Sequence, residues 1–84
     1  MSIDYSKLRS LTARKLISAL RKDGFQLVRQ SGSHQIWRHS DGRRVTVSFH
    51  SRSQTFSPKI LKIMIEDQAK WTEKDLKRLK ILKK

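Results

Sequence analysis

The sequence predicts a small α+β domain in which helices pack against one face of a three-stranded antiparallel sheet. Two observations support this fold class. An Asp41-Gly42 pair lies between residues typical of β-strands, which is a strong hairpin signal. Apolar residues at helical spacing both precede and follow this region. The chain of 84 residues is expected to form one domain over residues 1–84, with a core at about 11–70 and a basic C-terminal helix at 72–84.

The first helix is predicted from about Thr12 to Lys22. Thr12 is a suitable N-cap, and Leu16 and Leu20 follow it on one face. Gly24 can close the helix because glycine adopts the left-handed conformation without steric cost.

Three strands are predicted after this helix. The first is centred on Leu27 and is ended by Ser31-Gly32-Ser33, and the second includes Ile36. The third, from Arg43 to Phe49, alternates polar and apolar residues, as a strand with one buried face does.

The register of the central hairpin decides the face on which His34 lies. A two-residue loop at Asp41-Gly42 would place Ile36 opposite Val47 and His34 opposite Phe49. We expect this register, with His34 at the open end of the hairpin. A bulged turn would move His34 to the other face.

Two further helices are predicted in the C-terminal third. Ser57-Pro58 is typical of an N-cap followed by proline at the first helical position. The apolar residues of this second helix are Ile60, Leu61, Met64 and Ile65. Thr72 and Asp75 have the spacing of a capping box, which begins a third helix. Its inward leucines are Leu76, Leu79 and Leu82. Met64 and Trp71 are interpreted as core residues.

The resulting order is α-β-β-β-α with a short extra C-terminal helix. Three antiparallel strands with helices on one face are the plan of a double-stranded-RNA-binding domain. The predicted fold class is therefore α+β of this kind.

The charge of the chain indicates a polyanionic partner. Twenty Lys and Arg against seven Asp and Glu give a formal net charge of +13. Nucleic acid is the commonest such partner, because each neutralised phosphate releases condensed counterions. An acidic protein or an anionic membrane would satisfy the same charge. No apolar run approaches the about 20 residues that a membrane span needs, and we expect a cytoplasmic protein without a membrane partner.

The candidates for proton transfer near neutral pH are His34, His39 and His50, because the chain has no cysteine and few carboxylates. His34 has the most suggestive setting. Gly32 lets a ligand approach the backbone, and Ser33 can hydrogen-bond a phosphate. Metal-free RNA cleavage needs such a group, since the ribose 2′-OH supplies the nucleophile.

Neither a metal nor another cofactor is expected. Three histidines without cysteine or clustered carboxylates show no recognisable ligand spacing. Weaker candidates for phosphate contacts are Arg29, Arg38, Arg43 and Arg44. The lysines from Lys74 to Lys84 add nonspecific RNA affinity, dock a protein partner or only solubilise a helix face.

Three segments, in this order and spacing, resemble the HicA (YcfA-like) toxins of bacterial type II toxin–antitoxin pairs. They are Gly32-Ser33-His34, Asp41-Gly42-Arg43 and the strand from Val45 to His50. The resemblance spans roughly Leu16 to Leu79. It implies an mRNA-cleaving ribonuclease with a double-stranded-RNA-binding-like fold, whose catalytic histidine corresponds to His34.

The resemblance also implies an acidic HicB-like antitoxin that covers the active site. His50 matches a second recurring histidine of the family. It is interpreted either as an auxiliary acid, base or phosphate ligand, or as a residue that only shapes the loop. Two departures from the family pattern are Ser48, where proline is common, and Ser57-Pro58-Lys59, where the family has a Pro-Gly-Thr-like helix start.

The preferred function is an endoribonuclease toxin with His34 as general acid or base and with Gly32 and Ser33 shaping its loop. The alternative is a non-catalytic RNA-binding module of the same fold, in which His34 only contacts phosphate or the 2′-OH. A DNA-binding helical domain is the third hypothesis. The Asp-Gly hairpin and the lack of a helix-turn-helix pattern argue against it.

Overall fold

A computed structural model describes residues 3–82. Its elements are a 3-10 helix Tyr5–Leu8, α1 Ala13–Asp23, β1 Gln26–Ser31, β2 His34–Arg38, β3 Arg44–Ser48, α2 Pro58–Lys62 with a π-helical continuation Ile63–Gln68, and α3 Glu73–Arg78. The strands form one antiparallel sheet in the order β1-β2-β3. The predicted α+β fold class is confirmed.

Helix α1 begins and ends at its predicted caps. The Thr12 hydroxyl accepts a hydrogen bond from the Lys15 N–H at 3.3 Å. Gly24 has φ +104° and donates its N–H to the carbonyls of Arg21 and Leu20. Because both ends are satisfied locally, the boundaries differ from the prediction by only one residue.

The loop between β2 and β3 has three residues, Ser40 to Gly42. The His39 N–H donates to the Arg43 carbonyl at 2.9 Å, so the loop is closed by His39 and Arg43. The predicted two-residue loop would be closed by Ser40 and Arg43. Gly42 has φ +101°, and the Asp41 carboxylate accepts the Arg43 N–H at 3.1 Å. A turn followed by a left-handed glycine is the usual three-residue hairpin connection.

The predicted two-residue loop and its register are therefore wrong. The added loop residue shifts the pairing by one position, so that Gln35 lies opposite Val47 and His34 lies opposite Ser48. The pairs expected for Ile36 and His34 are not formed. A shift of one residue moves a side chain to the other face of a sheet, and His34 lies on the face away from the helices.

The two faces of the sheet differ in composition. The face that packs against the helices carries Gln35, Trp37, Val45 and Val47, all buried. We call the opposite side the open face. On β2 and β3 it carries His34, Ile36, Arg38, Arg44, Thr46 and Ser48, which are exposed or half-buried.

The hydrophobic core fills the space between the inner face of the sheet and the helices. Its largest fully buried side chains include Trp37, Phe25, Leu16, Leu20, Leu61 and Ile65. Met64 and Trp71 are buried as predicted. The core also includes Ile3 and Leu8 before residue 11, and Leu76, Leu79 and Leu82 after residue 70.

Ile60 was predicted on the apolar side of the second helix, and this is wrong because its side chain is 46% exposed. The buried stripe is formed by Leu61, Met64 and Ile65. Ile60 precedes that stripe and is not part of it. The side chain consequently faces solvent.

The third helix is shorter than predicted. The capping box of Thr72 and Asp75 is present, but the helix ends at Arg78. Lys80 adopts φ +62°, and the N–H groups of Ile81 and Leu82 both donate to the Leu76 carbonyl. Residues 83 and 84 of the predicted helix lie outside the described residues. Over residues 3–82, the helices are too short or too polar for any of them to cross a membrane.

A buried carboxylate connects α1 to the central hairpin and to α3. Asp23, whose side chain is 9% exposed, accepts hydrogen bonds from Trp71 Nε1 at 2.9 Å and Arg78 Nη2 at 2.8 Å. Arg43 Nη1 lies 3.1 Å from the same carboxylate. Burial raises the pKa of Asp23, but these donors together outweigh burial and hold the pKa below its usual value.

We predict that Asp23→Asn lowers the free energy of unfolding by about 2 kcal/mol, because hydrogen bonds to a charged acceptor are lost. This corresponds to a fall in Tm of about 10 °C for a domain of this size. The stabilisation by ionised Asp23 is complete above about pH 4, which is the ordinary pKa of an aspartate in the unfolded chain. It is lost as the pH falls through the lower pKa of the folded state.

Thermal unfolding between pH 2 and pH 7 checks this prediction. The Tm difference between wild type and Asp23→Asn should shrink in acid. The exposed Asp67→Asn is the control and should change Tm by no more than about 2 °C at pH 7. A constant difference at all pH values would contradict the assigned role of the carboxylate.

Candidate active site

His34 is the first residue of β2 and directly follows the turn at Gly32 and Ser33. Gly32 has φ +58°, and no atom lies within 4 Å of the position that a Cβ would take. Glycine is thus required by the backbone conformation and not by crowding. The Gln30 side chain donates to the Gly32 carbonyl at 3.2 Å and supports the turn. The space around this turn is open to a ligand.

Ser48 is the cross-strand neighbour of His34 on the open face. The Thr46 N–H donates to Gln68 Oε1 at 3.0 Å and therefore points away from β2. This makes Ile36 and Thr46 a non-hydrogen-bonded pair, and the His34–Ser48 pair two residues further on is of the same kind. The Cα atoms of such pairs lie about 4.5 Å apart, with their side chains close together.

His50 is brought to the same end of the sheet by Ser48. The Ser48 hydroxyl lies 3.1 Å from His50 Nε2. The Gln54 side chain accepts the backbone N–H groups of His50 and Ser51, and it donates to the Ser48 carbonyl at 2.8 Å. The structure thus places Ser48 beside both His34 and His50.

Ser48 and Gln54 were not identified as site residues from the sequence. Ser48 was noted only as a departure from a family pattern, and its position beside His34 depends on the register of the hairpin. Gln54 lies in a polar segment without periodicity. No sequence signal would have shown that its side chain holds the loop.

Three of the four candidate arginines share the open face with the histidine. Arg38 and Arg44 are directly opposite each other, and Arg29 is opposite Ile36. Like charges in opposed positions repel each other unless an anion lies between them. Arg38 follows His34 by four residues, or about 13 Å along the strand. Because His34 and the arginines are spread along the length of the strands, this face suits an extended polyanion.

Arg43 is not brought to His34. It donates to the Ala69 carbonyl at 2.7 Å and pairs with Asp41 and Asp23 at the other end of the sheet. Its guanidinium lies 4.9 Å from the centre of the Phe25 ring. These contacts engage Arg43 within the fold.

His39 is held in the same region as Arg43. Its Nε2 lies 2.8 Å from the Asp23 carbonyl oxygen. Its ring meets Phe25 edge to face, with centroids 5.2 Å apart. Among the three histidines, only His34 and His50 have exposed side chains on the described chain.

The fold and the site define a small basic domain of the double-stranded-RNA-binding type, with an exposed histidine at a glycine turn. The family model described as the HicA toxin of bacterial toxin–antitoxin systems matches residues 13–71, from the start of α1 to Trp71. The chain belongs to this family and is therefore the toxin member of a toxin–antitoxin pair. A search of curated proteins finds no significant match.

We predict that the loop after β3 is destabilised when the Gln54 side chain is removed. Gln54→Ala removes the oxygen that accepts two hydrogen bonds, from the N–H groups of His50 and Ser51, and the amide that donates to the Ser48 carbonyl. We expect a loss of about 1–2 kcal/mol in the free energy of unfolding, and faster amide hydrogen exchange at His50 and Ser51. Gln26→Ala, at an exposed position of β1, is the control. Unchanged exchange at His50 in Gln54→Ala would contradict this role.

Proposed function

We propose that this toxin is a metal-independent endoribonuclease that cleaves mRNA in the cytoplasm, with His34 as general acid or base. The observation that supports this proposal most directly is the row formed by His34, Ser48 and His50 at one end of the open face. Two exposed imidazoles, one on the residue opposite Ser48 and one in contact with its hydroxyl, can provide the two proton-transfer groups that the reaction requires.

The reaction begins with attack of the ribose 2′-oxygen on the adjacent phosphorus. One histidine takes the proton from the 2′-OH as the new oxygen–phosphorus bond forms. The bond from phosphorus to the 5′-oxygen breaks, and the other histidine donates a proton to that oxygen. The products are a 2′,3′-cyclic phosphate and a 5′-hydroxyl. No protein nucleophile is needed, because the substrate supplies its own.

Both histidines are placed where they can take part in proton transfer. His34 stands at the open glycine turn, where a ribose and a phosphate can approach the backbone. His50 is oriented by Ser48, whose hydroxyl lies next to Nε2. A neutral imidazole can take a proton and a protonated imidazole can give one, so each residue can serve in either step.

The negative charge that develops on phosphorus needs donors and cations. Ser33 is half-buried in the turn, where its hydroxyl can donate to a phosphate oxygen. Arg29, Arg38 and Arg44 on the open face are proposed to contact the flanking phosphates. Arg43 is left out of this set because its guanidinium is engaged by Asp23, Asp41 and the Ala69 carbonyl.

The proposed antitoxin is an acidic, HicB-like protein that covers the open face. The net charge of +13 supports an acidic partner. A partner seated over His34 and the arginines of this face would exclude RNA from the site. Inhibition would then follow from competition for one surface.

Cleavage of end-labelled single-stranded RNA in EDTA tests the proposal. The wild type is expected to cut and to leave a 2′,3′-cyclic phosphate. His34→Ala is expected to reduce the cleavage rate at least about 100-fold, the lower range for one acid–base group, with RNA affinity within about threefold of wild type.

Two outcomes would contradict the proposed mechanism. Cleavage that disappears in EDTA would indicate a metal-dependent reaction. Binding without cleavage by both proteins would identify the alternative, a non-catalytic RNA-binding module. Expression in cells provides a parallel readout, because only the wild type should arrest growth.

His50 and Ser48 are expected to differ in their effects on the pH–rate profile. His50→Ala should lower kcat about 10- to 100-fold and remove one limb of the bell-shaped profile, because an acid or base is lost. Ser48→Ala should lower kcat only several-fold, keep both limbs and be rescued by Ser48→Thr. An unchanged profile in His50→Ala would limit this histidine to shaping the loop.

A further inference from the structure

A groove of about 400 Å³ lies between α1 and the edge of the sheet, on the side opposite the open face. We call it the α1 groove. Its floor includes Gln35, Trp37 and Phe49, and its rim carries Arg14, Arg21 and Arg52. Leu27, which is 40% exposed, forms part of the wall on β1. None of these residues belongs to the site around His34.

Gln35 is a buried polar side chain that points into this groove. The residue is 8% exposed, and Gln35 Oε1 accepts the Trp37 Nε1–H at 3.1 Å. Over residues 3–82, Gln35 Nε2 donates to no protein acceptor. The atom remains accessible to solvent. Burying a carboxamide at an otherwise apolar strand position is costly. The unpaired N–H group is therefore available to a ligand in the groove.

The three arginines on the rim are not engaged by carboxylates. Among the described residues, no Asp or Glu side chain lies within 4.0 Å of their guanidinium groups. The Arg14 N–H donates to the Arg52 carbonyl at 3.1 Å, so the two residues are held together at the start of α1. The Arg21 guanidinium lies 5.3 Å from the centre of the Trp37 ring.

The chemistry of the groove fits a nucleotide. A phosphate can pair with Arg14 and Arg52, and a base can lie against Leu27 and the half-buried Phe49 ring. The Gln35 N–H can then donate to a carbonyl oxygen or a ring nitrogen of that base. A volume of about 400 Å³ falls in the lower part of the about 300–1,000 Å³ range of small-ligand sites. An acidic side chain would satisfy the arginines but not the aromatic floor.

The groove opens at the same end of the sheet as His34. The Phe49 N–H donates to the Ser33 carbonyl at 2.7 Å, which joins the groove floor to the turn before His34. Arg52 follows His50 by two residues. A strand cut at His34 can therefore pass around this end of the sheet and enter the α1 groove.

We infer that the α1 groove binds one unpaired nucleotide of the RNA strand that flanks the cleavage point. Arg14 and Arg52 hold its phosphate, and Gln35 contacts its base. This inference rests on the proposed RNA substrate. A base inside the groove must leave its stack, so the site selects single-stranded over duplex RNA.

RNA affinity in the His34→Ala background tests the inference without interference from cleavage. Arg14→Gln/Arg52→Gln is expected to raise the Kd for a single-stranded RNA about tenfold or more. It should also lower the slope of log K against log salt by about 0.7, the contribution of one phosphate contact on a single strand. Lys74→Gln/Lys77→Gln removes the same charge from α3 and should raise the Kd less than about threefold.

Gln35→Glu separates base recognition from charge at the rim. It retains the acceptor for Trp37 Nε1 and replaces the N–H donor by a carboxylate oxygen. We expect weaker binding of single-stranded RNA and an altered base preference next to the cut, with duplex RNA affected less. Thermal unfolding of each variant shows whether the fold is retained.

The outcomes separate this inference from the ribonuclease proposal. Equal loss of affinity in the groove and α3 variants would overturn the groove site, because diffuse charge would explain both. Loss of antitoxin binding with unchanged RNA affinity would also overturn it. If the wild type fails to cut RNA but the groove variants lose RNA affinity selectively, the groove site stands and the proposed ribonuclease fails.

Discussion

The three-residue loop from Ser40 to Gly42 determines the rest of the sheet. Because side chains alternate between faces, a loop of this length places Gln35 and Trp37 against the helices and His34 on the open face. The Asp41 carboxylate and the left-handed Gly42 fix the loop locally. Arg43 then ties it to α1 and to the region after the π-helix. Register, core and site therefore depend on one turn.

The two ends of the sheet have different physical roles. At the end near Asp23, charged groups are paired and partly buried, and the rings of His39 and Trp71 both pack against Phe25. At the end near His34, the polar groups are exposed, and hydrogen bonds from the Gln30 and Gln54 side chains support the backbone. Stability concentrated at one end leaves the other free to bind a large, charged substrate.

Elements with local signals were predictable from the sequence, and elements set by pairing were not. Thr12, Gly24 and the Thr72–Asp75 box act within a few residues, so the sequence shows where these helices begin or end. The hairpin register depends on one residue in a loop, and both loop lengths are compatible with Asp41-Gly42. The same limit applies to the site. His34 could be selected from its neighbours Gly32 and Ser33, whereas its position beside Ser48 required the register.

The role of Arg43 was obscured for a related reason. The residues around Arg43 are polar and give no indication of its ion pair with Asp23, which lies 20 residues earlier in the chain. Gln35 was hidden as well. Its place on the inner face follows only from the observed pairing with Val47. Long-range ion pairs and buried polar groups are tertiary features, and no local pattern encodes them.

Ser48 shows how one side chain can set the chemistry of a site without being required by its strand. In a non-hydrogen-bonded pair with His34, the Ser48 N–H points away from β2, so a proline here would remove no hydrogen bond to that strand. The backbone at this position is therefore compatible with proline. Serine keeps the same backbone and adds a hydroxyl that reaches His50. The contact between Ser48 and His50 is thus a property of this side chain and not of the fold alone.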